Sequence, residues 1–211
     1  MRLCQKRNRS SGDDEGDDAP REKIEIKLSD GSVRKIQYLA TTTYWIEGKM
    51  LSAAEFLERL FGDLSGIIAD EDQLRTVWSD PDNREHFLGQ LSDRGYDLDR
   101  LNDIRRLVDA PDSDLFDVLS YILFTNPPKT RHERADGVRA TGVEADGELK
   151  ALLLAILQAY EDRGESELAT KKLGTFLTAR FGSVNESRAK LGDLGGVRTA
   201  FRTMQQTLYA D

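Results

Sequence analysis

The stretch EKIEIKLSDGSVRKIQYLA, residues 22–40, constrains the fold more than any other part of the chain. Ile24, Ile26 and Leu28 alternate with Lys23, Glu25 and Lys27, which puts one apolar row on one face of a strand. Asp30-Gly31 supplies the positive-φ positions of a two-residue type I′ turn. That register predicts Val33 opposite Leu28, extending the apolar row. It also predicts Arg34 opposite Lys27, a like-charge pair that weakens the hairpin slightly. The second strand is the poorer one, because Lys35 and Gln37 then fall on the buried side. A two-stranded hairpin is marginal alone in water. This one requires a partner, and almost everything after it has the periodicity of helix.

The helices carry their own boundary signals. After TTTYWIEGKM, an extended or turn segment holding Tyr44 and Trp45, Ser52 and Glu55 form a capping box. It opens a helix with Phe56, Leu57 and Leu60 on one face and Gly62 after its end. Asp70 opens a short helix carrying Leu74, Val77 and Trp78. Asp80, with Pro81 at the first helical position, starts another that Gly95 stops. Leu98, Leu101, Ile104, Leu107 and Val108 follow at helical spacing. Ser113 is the expected cap of DLFDVLSYILF, the most apolar helix, which Asn126-Pro127-Pro128 ends. Further helices are expected over residues 148–163, 167–181, 183–191 and 196–209.

The expected fold is therefore mainly α: an N-terminal β-hairpin followed by a multi-helix bundle in two sub-bundles. Residues 1–20, four cations and then SSGDDEGDDAP, have the composition of a disordered linker. Residues 21–135 form the hairpin and the first sub-bundle, 136–147 a joint, and 148–211 the second sub-bundle. No repeat recurs at a fixed period.

Composition narrows the function. No apolar run approaches the ~20 residues of a membrane span, and the N-terminus lacks the apolar core of a secretory signal. Cys4 is the one cysteine among 211 residues, so no internal disulfide is possible; a reducing cytoplasm is expected. The net charge of −8 argues against a protein whose main work is holding nucleic-acid phosphates. Local basic patches remain at residues 2–9 and at Lys129, Arg131, Arg134 and Arg139, diluted by neighbouring acids and read as solvated surface.

Catalytic signatures dissolve on inspection. His86 and His132 are the two histidines, too few with one cysteine for a Cys/His zinc site. GIIADEDQ, residues 66–73, is like the acid box of ATP-driven helicases, but the phosphate loop such a box requires is missing. Its acids suit a helix N-terminus. EIK, residues 25–27, is half of a metal-dependent nuclease signature; charges on the wet face of a hairpin explain it better. LGDLGGVR, residues 191–198, lacks the order of a nucleotide loop and reads as a break between helices.

Four segments in order carry a resemblance: REKIEIKLSDGSVRKIQYLATTTYW, LSAAEFLERLFGDL, SDLFDVLSYILFTNPPKTRHERA and FRTMQQTLY. Together they resemble the C-terminal region of the restriction (R) subunit of type I restriction-modification enzymes, the EcoEI-like class. The likeness runs from about Arg21 to the end and is weakest across residues 136–147. In that family, nuclease and motor modules lie upstream and a helical C-terminal region docks R onto the methyltransferase (M) and specificity (S) subunits. The resemblance therefore implies a non-catalytic assembly domain, with DNA reached through the complex and no membrane. It also implies no catalytic residue, metal or cofactor in this chain, since ATP and Mg belong to the upstream modules, after which residues 1–20 would serve as linker. Candidate interface residues are the aromatics Tyr44, Trp45, Trp78 and Phe124, with Arg131 and Arg134 at a polar rim. Each aromatic also fits a core position. The alternatives are a sequence-independent DNA-backbone contact by the helix over residues 129–139, and a stand-alone helical interaction protein.

Overall fold

The hairpin finds its partner in the helices that follow it. The computed structural model describes residues 23–37, 43–46 and 48–210; the expected linker over residues 1–20, with its basic patch and Cys4, lies outside them. The first hairpin pairs β1 (Lys23–Lys27) with β2 (Val33–Gln37). Its register differs from the expected one: Lys27 faces Val33, Ile26 faces Arg34 and Ile24 faces Ile36. The loop is three residues long, with the Gly31 amide donating to the Leu28 carbonyl at 2.9 Å and Gly31 at φ +85°. This is a type I turn followed by a left-handed glycine. A one-residue shift moves every side chain of a strand to the other face. Ile36 and Arg34 therefore turn inward, while Val33 and Lys35 are exposed.

A second hairpin, not expected from the sequence, joins β3 (Thr43–Ile46) to β4 (Lys49–Ser52) around Gly48 at φ +77°. Ser52 ends β4 and caps α1 (Ala53–Ser65), where the capping box with Glu55 is present. That helix runs through Gly62, expected as its end, and stops at Gly66. An exposed glycine in a helix interior costs about 1 kcal/mol, which burial of Phe56, Leu57, Leu60, Phe61 and Leu64 outweighs.

The remaining helices are α2 (Glu71–Ser79), α3 (Pro81–Asp93), α4 (Leu98–Leu107), α5 (Leu115–Phe124), α6 (Arg131–Thr141), α7 (Gly147–Arg163), α8 (Thr170–Phe181), α9 (Val184–Leu191) and α10 (Leu194–Leu208). The sequence-predicted helix from residue 167 begins instead with a 3₁₀ turn, Glu165–Leu168, and α8 follows it. Asp114, not Ser113, caps α5, accepting from the Phe116 amide at 2.7 Å. Helix α5 is buried nearly all round, as its apolar composition requires.

Residues 136–141, expected as part of a joint, are the second half of α6, which packs on α7 and α10. The buried apolar side chains, from Ile26 to Tyr209, make one cluster. Arg84 of α3 illustrates the continuity: its guanidinium donates to the carbonyls of Trp78 (2.8 Å) and Leu168 (3.0 Å) and to Gln205 Oε1 (3.0 Å). Among the described residues no helix is long and apolar enough to cross a membrane.

Candidate interaction surface

The six candidate interface residues separate by burial. Tyr44 is buried, its ring stacked on Phe56 with centroids 4.0 Å apart and planes 10° from parallel. Burial pushes its hydroxyl pKa up to about 12. Trp78 is fully buried, with ring centroids 6.2 Å from Phe87 and 6.3 Å from Phe116. Phe124 is partly buried against the core.

Arg134, expected at a polar rim, belongs to the core as well. Its guanidinium forks onto Asp117 at 2.5 and 2.8 Å and donates to the Leu208 carbonyl at 2.9 Å. It also lies over the rings of Phe116 (4.7 Å) and Tyr209 (5.4 Å). Burial opposes this cation, but the Asp117 hydrogen bonds and charge override it and hold its pKa above the ordinary arginine value. Such planar, bidentate pairing is what lets an arginine enter a core. Trp78 and Arg134 thus meet around Phe116, inside the protein.

Arg131 is half-buried, donating to the carbonyls of Ser113 (3.2 Å) and Glu161 (3.3 Å). Arg139 bonds Asp136 at 2.8 Å and also Glu161. His132 bridges Glu161 and Asp136, and its contact with Glu161 raises its pKa. Of the four cations over residues 129–139, three spend their donors on the protein itself, and Lys129 is exposed. His86 sits on the exposed face of α3 beside Gln90, and Glu25 pairs with Lys35 across the hairpin. Asp70 caps α2 through the Gln73 amide. No group of three or more His, Cys, Asp or Glu side chains among the described residues could hold a metal ion.

Two apolar features are left facing solvent. The first is Trp45, 59% exposed, cross-strand partner of Met50, 60% exposed. The second is a groove of about 310 Å³ between α3, α4 and the start of α8. Its walls include Leu88, Tyr96, Leu98, Leu101 and Ala169, with Leu98 itself 57% exposed. A Lys171–Glu85 ion pair at 3.1 Å crosses its rim from α8 to α3. Sequence reasoning missed Met50, because the second hairpin was unread, and did not single out Leu98, because it continues the helical spacing of Leu101 and Ile104. The signals for Met50 are Tyr44 and Ile46 alternating with Trp45, and Gly48 at turn spacing.

The described residues thus form a helical body with two small hairpins at its N-terminal side and two apolar features facing solvent. Residues 54–209 match the family described as EcoEI R protein C-terminal, and the chain belongs to that family: it is a C-terminal domain of a type I restriction enzyme R subunit. It is also similar to an Escherichia coli protein named type I restriction enzyme EcoAI endonuclease subunit. The two are 26% identical over 182 residues, which cover 83% of this chain and 21% of the relative. The chain thus spans about a fifth of that relative's length. No solved structure matches.

Proposed function

We propose that the domain is an assembly module without catalytic chemistry or cofactor of its own, docking an R subunit onto the methyltransferase–specificity complex. The observation that carries the reading is the α3–α4–α8 groove. It lies inside the span matched by the family, is walled by leucines and a tyrosine, and carries a charged rim. Apolar grooves of this form accept a helix or an apolar side-chain cluster from a partner. The engaged cations of α6 weaken the reading as a direct DNA contact.

Co-elution with the cognate methyltransferase–specificity complex on a sizing column, at low and moderate salt, tests it. A shift into the larger peak at both salts is expected. Leu98→Asp, which changes an exposed side chain and leaves the fold intact, should weaken the association about tenfold, or about 1.4 kcal/mol. A chain that runs alone at both salts overturns the proposal.

A further inference from the structure

We infer that the outer face of the last three helices, α8, α9 and α10, is a docking surface for the sugar–phosphate backbone of a nucleic-acid duplex, held without regard to base sequence. The inference goes beyond the groove reading and does not rest on it.

Charge is divided unevenly along the chain. Residues 170–210 hold seven lysines and arginines against two acids, Glu186 and Asp193, although the chain as a whole has a net charge of −8. Four of the seven are engaged within the fold: Lys171 with Glu85 (3.1 Å), Lys172 with Glu167 (3.1 Å), Arg180 with Glu148 (2.9 Å) and Arg202 with Asp80 (3.6 Å) and Asp82. Arg188 and Lys190 of α9 and Arg198 of α10 are exposed, and their side chains donate to none of the described residues. This is the reverse of α6, where Arg131, Arg134 and Arg139 are all engaged.

The fold gathers these groups. Asp193 caps α10; the Gly195 and Gly196 amides hold its carboxyl below the ordinary range, and Arg188 and Arg198 add to that effect from the two helices it joins. Arg188 lies one turn beyond Val184 on the same face of α9. Val184, 48% exposed, closes a shallow trough of about 650 Å³ that runs along α8 past Lys171, Gly174, Thr175, Thr178 and Ala179. The trough shares only Lys171 with the α3–α4–α8 groove. No carboxylate lines it, and a Cβ built on Gly174 would meet nothing within 4 Å.

The chemistry of the face selects the partner. Interfaces between proteins centre on aromatic and apolar side chains, whereas this trough offers glycine, alanine and two threonines. Phosphate oxygens take their hydrogen bonds from Arg, Lys, Ser and Thr, and contacts confined to phosphates carry no base information. Nucleic-acid interfaces are also more polar and more positive than protein ones. The 12 residues of α8 make it about 18 Å long, the axial rise of about five base pairs. Small side chains let a phosphate backbone settle on α8 while Arg188, Lys190 and Arg198 neutralise its charge.

Fluorescence anisotropy of a labelled DNA duplex of arbitrary sequence, titrated with the 211-residue chain at several salt concentrations, tests this. With three phosphates neutralised, log affinity should fall against log salt with a slope of about −2.7, a loss of about 40-fold between roughly 50 and 200 mM. Replacing the three cations together, by Arg188→Gln, Lys190→Gln and Arg198→Gln, should weaken binding at least about tenfold at the lower salt and remove most of the slope. Thr175→Lys reads the trough without touching those cations: one added phosphate contact should steepen the slope by about 0.9. Duplex RNA is the second arm, and the tighter-bound duplex identifies the source of the phosphates. Binding that both variants leave unaltered overturns the inference, as does an affinity too weak to measure at the lower salt. Loss of binding on neutralising Arg2, Lys6, Arg7 and Arg9, or on Lys129→Gln, with the triple variant still bound, also overturns it and gives the phosphates to another segment. So does displacement of the duplex by poly-glutamate at equal charge, which would give the face to an acidic protein. Leu98→Asp should leave the affinity unaltered, so this inference and the groove proposal fail separately.

Discussion

The two hairpins share α1 and α4 as supports and are attached by different physics. β1–β2 is pinned by polar groups. The Ser29 amide donates to the Glu58 carboxylate of α1 at 3.1 and 3.2 Å. Arg34, 1% exposed, donates to the carbonyls of Ile122 (2.9 Å) and Leu123 (3.2 Å) at the end of α5. The Lys35 amide donates to the Tyr121 hydroxyl at 2.8 Å, which donates back to the Lys35 carbonyl at 3.1 Å. Asp109 receives both the Gln37 amide group and Lys23, the latter at 2.6 Å. β3–β4 has the Tyr44–Phe56 stack, Ile46 against Gly95, and the Arg100 bonds. Gly95 has φ +90°, and a Cβ there would stand 3.2 Å from Ile46 Cγ2, so only glycine allows that approach.

The comparison teaches how a weak hairpin is made to stay. Arg34 reaches carbonyls that the end of a helix leaves without intrahelical donors, and its charge suits the negative end of the dipole. One side chain thus satisfies the helix and anchors the strand. β3–β4 lacks such a bolt on its outer face, and that is the face left apolar and open.

The largest effect expected is at the stack. Tyr44→Ala empties a buried aromatic site and should lower stability by about 3–5 kcal/mol in denaturant unfolding. Tyr44→Phe sharpens the point: the hydroxyl is buried without a hydrogen-bond partner among the described residues, so its removal should leave stability unchanged or raise it by up to ~1 kcal/mol. A loss above that would show that the hydroxyl is satisfied in solution and that β3–β4 has a second polar pin besides Arg100.

Arg34→Ala comes next, at about 2–4 kcal/mol, because two helix-terminal carbonyls lose a charged donor and a volume is emptied. Arg34→Met refills the volume and should recover about half of that cost. Equal losses for the two variants would assign the anchoring to hydrogen bonding alone. Trp45→Ala, on the open face, should change the stability of the isolated chain by no more than about 0.5 kcal/mol.

The smallest effect is one of pH and belongs to β1–β2 alone. Asp30 accepts from the Ser32 hydroxyl and amide, which hold its carboxyl below the ordinary range. A depressed folded value contributes stability that is complete above the unfolded value, near 4, and lost as pH falls through the folded one. Amide hydrogen exchange at Ser32 should therefore lose protection below pH 4 relative to the amides of β3 and β4. Asp30→Asn should remove that difference.

Much of the helical body was legible because capping is local. Ser52–Glu55, Asp70 and Asp80–Pro81 are each read from residues no more than three apart, and each caps the expected helix. The candidate surface was far less legible. Trp78 and Trp45 look alike in sequence, yet one is enclosed by Phe87 and Phe116 while the other faces water. Arg134 has the setting of a surface helix, and its destination depends on Asp117, 17 residues earlier, and on the Leu208 carbonyl, 74 residues later.

By itself, then, the sequence determined that a strand pair precedes a succession of capped amphipathic helices, because periodicity and caps act over a few neighbouring residues. The register of the first hairpin was decided only by the tertiary structure. Val33 and Ile36 lie on opposite faces of one strand, so alternation alone cannot place both inward. The choice fell to the end of α5, whose carbonyls reward burial of Arg34 and leave no comparable partner for Lys35.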